Sequence, residues 1–157
     1  MDELLAIALL AIHMGEEPAT ITQKQSQAVS DMLIAKSIPE DTYFIDVGLE
    51  YDPQKNFFDH HQDGNLDSSA LLVFNHFFPH LMNTELHEYL SLVSRVDAQG
   101  LKSLDDAKIV NESKTYWSFS QSMLLRLFER DPWPVVRIVI AGLKDKIDFA
   151  QKTIEGA

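Results

Sequence analysis

The segment Thr42 to Leu49, TYFIDVGL, is β-rich and apolar on both sides of a single acid, Asp46, which predicts a strand buried on both faces, as in a parallel sheet. A carboxylate left unpaired in such a place costs several kcal/mol, so a metal ion is an economical partner for it. The bland alternative for Asp46 taken alone is a strand-end acid capping a turn. Phe57 and Phe58 predict a second short strand that runs into Asp59, His60 and His61, ahead of the turn signal Asp63, Gly64, Asn65. Adjacent side chains of a regular strand point to opposite faces, so His60 and His61 reach one ion together only if the chain bends there. One histidine is expected to bind metal and the other to face substrate.

Helical patterns surround these two strands. Asp2 to Met14, DELLAIALLAIHM, has acids in its first turn, an almost all-round apolar body and Gly15 as a stop. A short strand is expected over 19–22 and a helix over 26–35, closed by Pro39. Ser68 or Ser69 can cap the next helix, whose Leu71, Leu72, Phe74 and Phe78 supply core bulk. After Pro79 the pattern is helical throughout: roughly 84–98 with Gly100 as stop, then about 116–129, then a last helix starting near Pro134. That helix carries Val136, Val139, Leu143, Ile147, Ala150 and Ile154 as an apolar stripe opposite Lys144, Asp145, Lys146 and Asp148. The expected class is therefore α/β, a mostly parallel sheet flanked by helices with a helical C-terminal extension. One domain is expected over 1–157, with an α/β core over 1–80 and the extension over 81–157. Sheets of this class bind ligands beyond the carboxyl ends of their strands, where Asp46 and the 59–61 triplet sit.

A chain of 157 residues, 45% hydrophobic, is long enough for one buried core. Thirteen Lys plus Arg against 24 Asp plus Glu give −11, the wrong sign for a surface that grips a phosphate backbone through many cationic contacts. Two divalent cations would bring −11 to −7 and place positive charge where a phosphate would sit. With no Cys, a metal has only carboxylate and imidazole to hold it. The apolar stretch Leu4 to Met14 is too short to span a bilayer and follows acids rather than bases, so the expectation is a soluble, untargeted, cytoplasmic chain with no membrane partner.

The string FIDVGLEYDPQKNFFDHHQDGNLDSSALLVF resembles the melanocyte-proliferating-gene family, a branch of the DHH phosphoesterase superfamily. In its metal motifs that branch is similar to RecJ-like nucleases and manganese pyrophosphatases. Asp46, the triplet Asp59 to His61, and Asp97 in SRVDAQG match the later motifs in order. The resemblance implies that Asp46 bridges two divalent ions, Mn2+ or Mg2+, and that His60 and Asp97 complete one of them. It implies that Asp59 orients a histidine from behind and that His61 donates a proton or hydrogen bond to the phosphate. Two ions about 4 Å apart can activate a water, neutralise the phosphate and stabilise the leaving oxygen of an in-line displacement. The family's first motif has an early His, then His, any residue, Asp and Glu; Asp2 and Glu3 match its end and Met1 holds the free position. Its histidines and the preceding strand would lie upstream, so one metal site is expected nearly intact through Asp2, Asp46, His60 and Asp97 and the other deficient. The resemblance also implies a further substrate-binding domain, which is not expected within 1–157.

The implied function is metal-dependent hydrolysis of phosphodiesters in nucleic acid or short oligonucleotides, exonuclease-like. Its rivals are a non-catalytic metal-binding or interaction module, and a hydrolase of a small nucleotide or pyrophosphate. Ser68 and Ser69 could offer helix N-terminal N–H groups to a phosphate, although capping is the simpler role. Asp2 could equally be a plain helix-start acid, Asp97 a helix-end acid, and His60 with His61 a surface pair. His13, His76, His80 and His87 receive no role, and Trp117, Phe119 and Trp133 are assigned to packing. An apolar first helix lacking a covering strand would favour a homodimer.

Overall fold

The acids of the opening turn followed by an unbroken apolar run produce α1, Asp2–Met14. It closes as expected at Gly15, whose φ of +73° is the left-handed conformation that glycine adopts without cost and whose N–H donates to the Ile12 carbonyl at 3.2 Å. The computed structural model describes residues 2–16, 20–21, 29, 31, 38, 41–99 and 127–156. The strand expected over 19–22 and the helices expected over 26–35 and 116–129 lie largely outside these residues.

Three two-residue strands follow: β1, Phe44–Ile45; β2, Tyr51–Asp52; and β3, Phe57–Phe58. They pair in the order β1, β3, β2, with β1 parallel to β3 and β2 antiparallel to it. Among the described residues, then, the sheet is mixed and small rather than mostly parallel. The long strand expected over 42–49 stops after Ile45 because Asp46, Gly48 and Leu49 take φ values of +57°, +111° and +56°, which no extended strand accommodates. Between β2 and β3 a 3-10 turn, Pro53–Lys55, is capped by the Asp52 carboxylate and leaves through Asn56 at φ +64°.

Two further helices, α2 (Ser69–Phe77) and α3 (Glu85–Gln99), are separated by a 3-10 turn, Pro79–Leu81. The last helix, α4 (Pro132–Glu155), starts two residues earlier than Pro134 because the Asp131 carboxylate accepts the Trp133 N–H and caps it there. Val136, Val139, Leu143, Ile147 and Ala150 of its stripe are buried, but Ile154 is 48% exposed, since the helix ends just beyond it.

Residues from α1, β3, α2, α3 and α4 share one apolar core, with Phe58, Phe74, Leu4, Leu5 and Leu9 fully enclosed. A leucine buried to that degree contributes roughly 1.5–3 kcal/mol, so tertiary burial rather than intrinsic propensity holds α1 in place. Because α2, α3 and α4 of its own chain cover α1, its apolar surface does not by itself call for a second copy. No helix among the described residues is long and apolar enough to cross a membrane. A smaller apolar cluster of Val29, Phe44 and Phe57 backs the other face of the sheet, with the two phenylalanine rings stacked at 4.2 Å. The parallel pairing of β1 with β3 brings their carboxyl ends together, and that end of the sheet positions everything that follows.

Candidate metal centre

Asp46 directly follows β1 and Asp59 directly follows β3, and the parallel ladder continues between them through the Asp46 N–H, which donates to the Phe58 carbonyl at 3.0 Å. Past Phe58 the chain leaves the strand and turns at His61. That turn answers the strand-alternation problem: the rings of His60 and His61 lie 4.5 Å apart, and both approach Asp46 Oδ1, His60 Nε2 at 3.3 Å and His61 Nδ1 at 3.6 Å. From α3, Asp97 brings its Oδ2 to 3.3 Å from the same His60 Nε2. Side chains separated by tens of residues thus converge on one imidazole nitrogen.

His60 Nε2 is buried and lacks a hydrogen-bond partner, although two carboxylate oxygens lie nearby. A buried polar atom so placed is costly unless a further group satisfies it. Two overlapping sets of potential ligand atoms, Asp46 with His60 and His61, and Asp2 with His60 and Asp97, each fall within 4.8 Å. One set offers a carboxylate with two imidazoles and the other two carboxylates with one imidazole, donor types that fit a divalent ion.

Burial raises the Asp46 carboxyl above its ordinary value, and the nearby Asp2 charge adds to the rise against the two histidines and Ser69. Burial likewise raises Asp2, with Asp97 contributing, and raises Glu3, with Asp46 contributing. Burial first, and neighbouring carboxylates second, thus favour the neutral forms of these acids. Asp59 behaves oppositely. Burial pushes its carboxyl up, but donation from the His61 N–H, the His61 ring and the Leu49 N–H outweighs that and lowers it. Its Oδ2 accepts Leu49 N at 2.7 Å, and its Oδ1 accepts His61 N at 3.1 Å and His61 Nδ1 at 2.7 Å. The ring hydrogen bond to Asp59 in turn raises His61 above its ordinary value. Fully buried Asp59 thus spends both oxygens on fixing the loop after β1 and the half-exposed His61 ring, and it belongs to neither set of potential ligands.

Asp2 accepts the Ser69 N–H on Oδ2 and the Ala70 N–H on Oδ1, both at 2.8 Å, so the α2 N-terminus is capped by a residue 67 positions upstream. Neither Ser68 nor Ser69 caps it with a side chain as expected; Ser68 makes no side-chain cap bond, and its N–H donates to Ser94 Oγ at 2.8 Å. Both serines are enclosed, at 1% and 0% exposed, and Ser69 Oγ donates to Asp46 Oδ1 at 3.2 Å. The carboxylate retains lone pairs for a cation even while it caps, so capping and ligation by Asp2 are compatible. Ser94 is a participant that the sequence reading passed over; its position three residues before Asp97, on the same helix face, was the available signal. The unassigned histidines stand apart from this group, with His13 packed on Phe77 at 4.2 Å and His80 beside Gln151.

A family model named MYG1_exonuc, described as an uncharacterised protein family (UPF0160), matches residues 1–116. Neither a curated protein nor a solved structure is significantly similar to the chain.

Proposed function

This chain belongs to the MYG1_exonuc family, and on that footing we propose that it is a metal-dependent phosphoesterase that cleaves phosphodiesters of nucleic acid or short oligonucleotides. The observation that carries the reading is the approach of Asp46 and Asp97 oxygens, each at 3.3 Å, to a buried and otherwise unsatisfied His60 Nε2. The family's name points to exonuclease activity. The order Asp46, Asp59 to His61, Asp97 supports placing the chain in the DHH phosphoesterase superfamily.

Asp2, Asp46, His60 and Asp97 would hold Mn2+ or Mg2+, two ions in the complete site. When bound, such ions polarise the phosphoryl group and make a water nucleophilic near neutral pH. The protein's own contribution is placement. Asp59 holds His61 through Nδ1, which leaves Nε2 as the ring nitrogen for a phosphate oxygen or leaving group. The N–H groups of Ser68 and Ser69, the candidate phosphate donors, are engaged by Ser94 Oγ and Asp2 Oδ2.

Incubation of the chain with a short labelled oligonucleotide and with bis(p-nitrophenyl) phosphate, with Mn2+ or with EDTA, tests the reading. Mn2+-dependent cleavage is expected, lost with EDTA and in Asp46→Ala and His60→Ala, and reduced at least ~100-fold in His61→Ala, the low end for a general acid. Cleavage that persists undiminished in EDTA or in Asp46→Ala rejects it.

A further inference from the structure

The hydrogen bond between Ser69 and Asp46 joins the first residue of α2 to the residue that ends β1, 23 positions apart in sequence. We propose that Ser69 is a positioning residue of the metal centre: its hydroxyl sets the direction in which the Asp46 carboxylate presents Oδ1 to a cation. This rests on the metal-binding reading above and deepens it.

Asp46 needs such a restraint. Although its N–H still pairs with β3, it sits in a bend at φ +57°, so strand pleating does not aim its side chain. Left to itself, Oδ1 has two histidine rings within 3.6 Å to swing toward. The Ser69 hydroxyl occupies one lone pair of Oδ1 and leaves the other for a cation, the arrangement of a donor that holds a metal ligand from behind. Ser69 is itself anchored: it is fully enclosed, and its N–H donates to Asp2 Oδ2 at 2.8 Å. The restraint therefore runs from the start of α1, through the start of α2, to the end of β1.

Manganese binding to the full chain, measured by titration calorimetry, separates this role from simple packing. Ser69→Ala removes one oxygen and retains the backbone N–H that Asp2 accepts, so the cap on α2 survives in the variant. Its Mn2+ dissociation constant is expected to rise about 10-fold or more, as when the outer partner of a metal ligand is deleted. Ser91→Ala is the control, because Ser91 Oγ donates within its own helix to the His87 carbonyl at 2.8 Å and touches none of the centre; its affinity should equal that of the wild type. Wild-type affinity in Ser69→Ala, or equal weakening in both variants, overturns the positioning role while leaving the metal reading intact. Absence of saturable Mn2+ binding by the wild type overturns both.

Discussion

At the scale of residues, the centre sets two opposed titrations against each other. Donors lower the folded-state value of Asp59, so its contribution to stability is present above the unfolded value of 3.8 and is lost as pH falls through the lowered one. Asp2 and Asp46 are raised, chiefly by burial, so theirs is fullest below 3.8 and is lost as pH rises through the folded values. His61 is raised by its bond to Asp59; its contribution is complete below 6.5 and is lost as pH climbs through the raised value. Three of the four groups therefore weaken the metal-free protein as pH rises through their raised values. A divalent ion reverses the balance because its ligands must be deprotonated to bind it. Thermal melts in steps from about pH 4 to about pH 8, with and without Mn2+, should show the metal-free protein melting lower as pH passes the raised values and the Mn2+-induced rise becoming larger there. An equal rise across the whole range would mean that the titrating carboxylates are not the ligands.

At the scale of elements, the turn after β1 determines whether Asp46 and Asp59 work together. A Cβ on Gly48 would stand 2.9 Å from Phe57 Cε1 in the ring stack, on a backbone at φ +111°. Gly48→Ala should cost about 1–3 kcal/mol from backbone strain alone, read by urea denaturation, and should weaken Mn2+ binding because Leu49 N–H no longer meets Asp59. Stability and affinity both at the wild-type level would show that this turn does not carry the site. The sequence made legible whatever rests on local signals: the acids and glycine that bound α1, the two phenylalanines ahead of Asp59, and the apolar stripe of α4 as far as Ala150. It did not reveal that β1 ends at Ile45, because valine and leucine around Gly48 read as strand while three left-handed residues break it. Nor did it reveal the Asp2 cap on α2 or the Ser69 bond to Asp46, since contacts spanning 67 and 23 residues leave no periodicity to detect. Two serines beside a helix start have an obvious local role, capping, and the tertiary contacts displaced it.

At the scale of the whole molecule, a charge of −11 bears directly on which phosphodiesters the centre can reach. A basic nuclease gathers its substrate through many Lys and Arg contacts, releases counterions, and loses affinity steeply as salt rises. Here the long-range field repels a polyanion, and even two bound divalent cations leave −7. On the proposed reading, bound cations supply the attraction at the centre, within a Debye length of roughly 10 Å at 0.1 M salt. A short oligonucleotide puts few phosphates outside that radius, whereas a long strand lays many against the acidic surface. Added salt screens the repulsion at long range more than the attraction at contact. Between about 50 and about 200 mM salt, kcat/KM on a short oligonucleotide with saturating Mn2+ should therefore stay level or rise, and it should exceed that on a long single strand at the lower salt. A steep fall with salt, or a preference for the long strand, would indicate a cationic track along the nucleic acid and would overturn the assignment of short substrates to this centre.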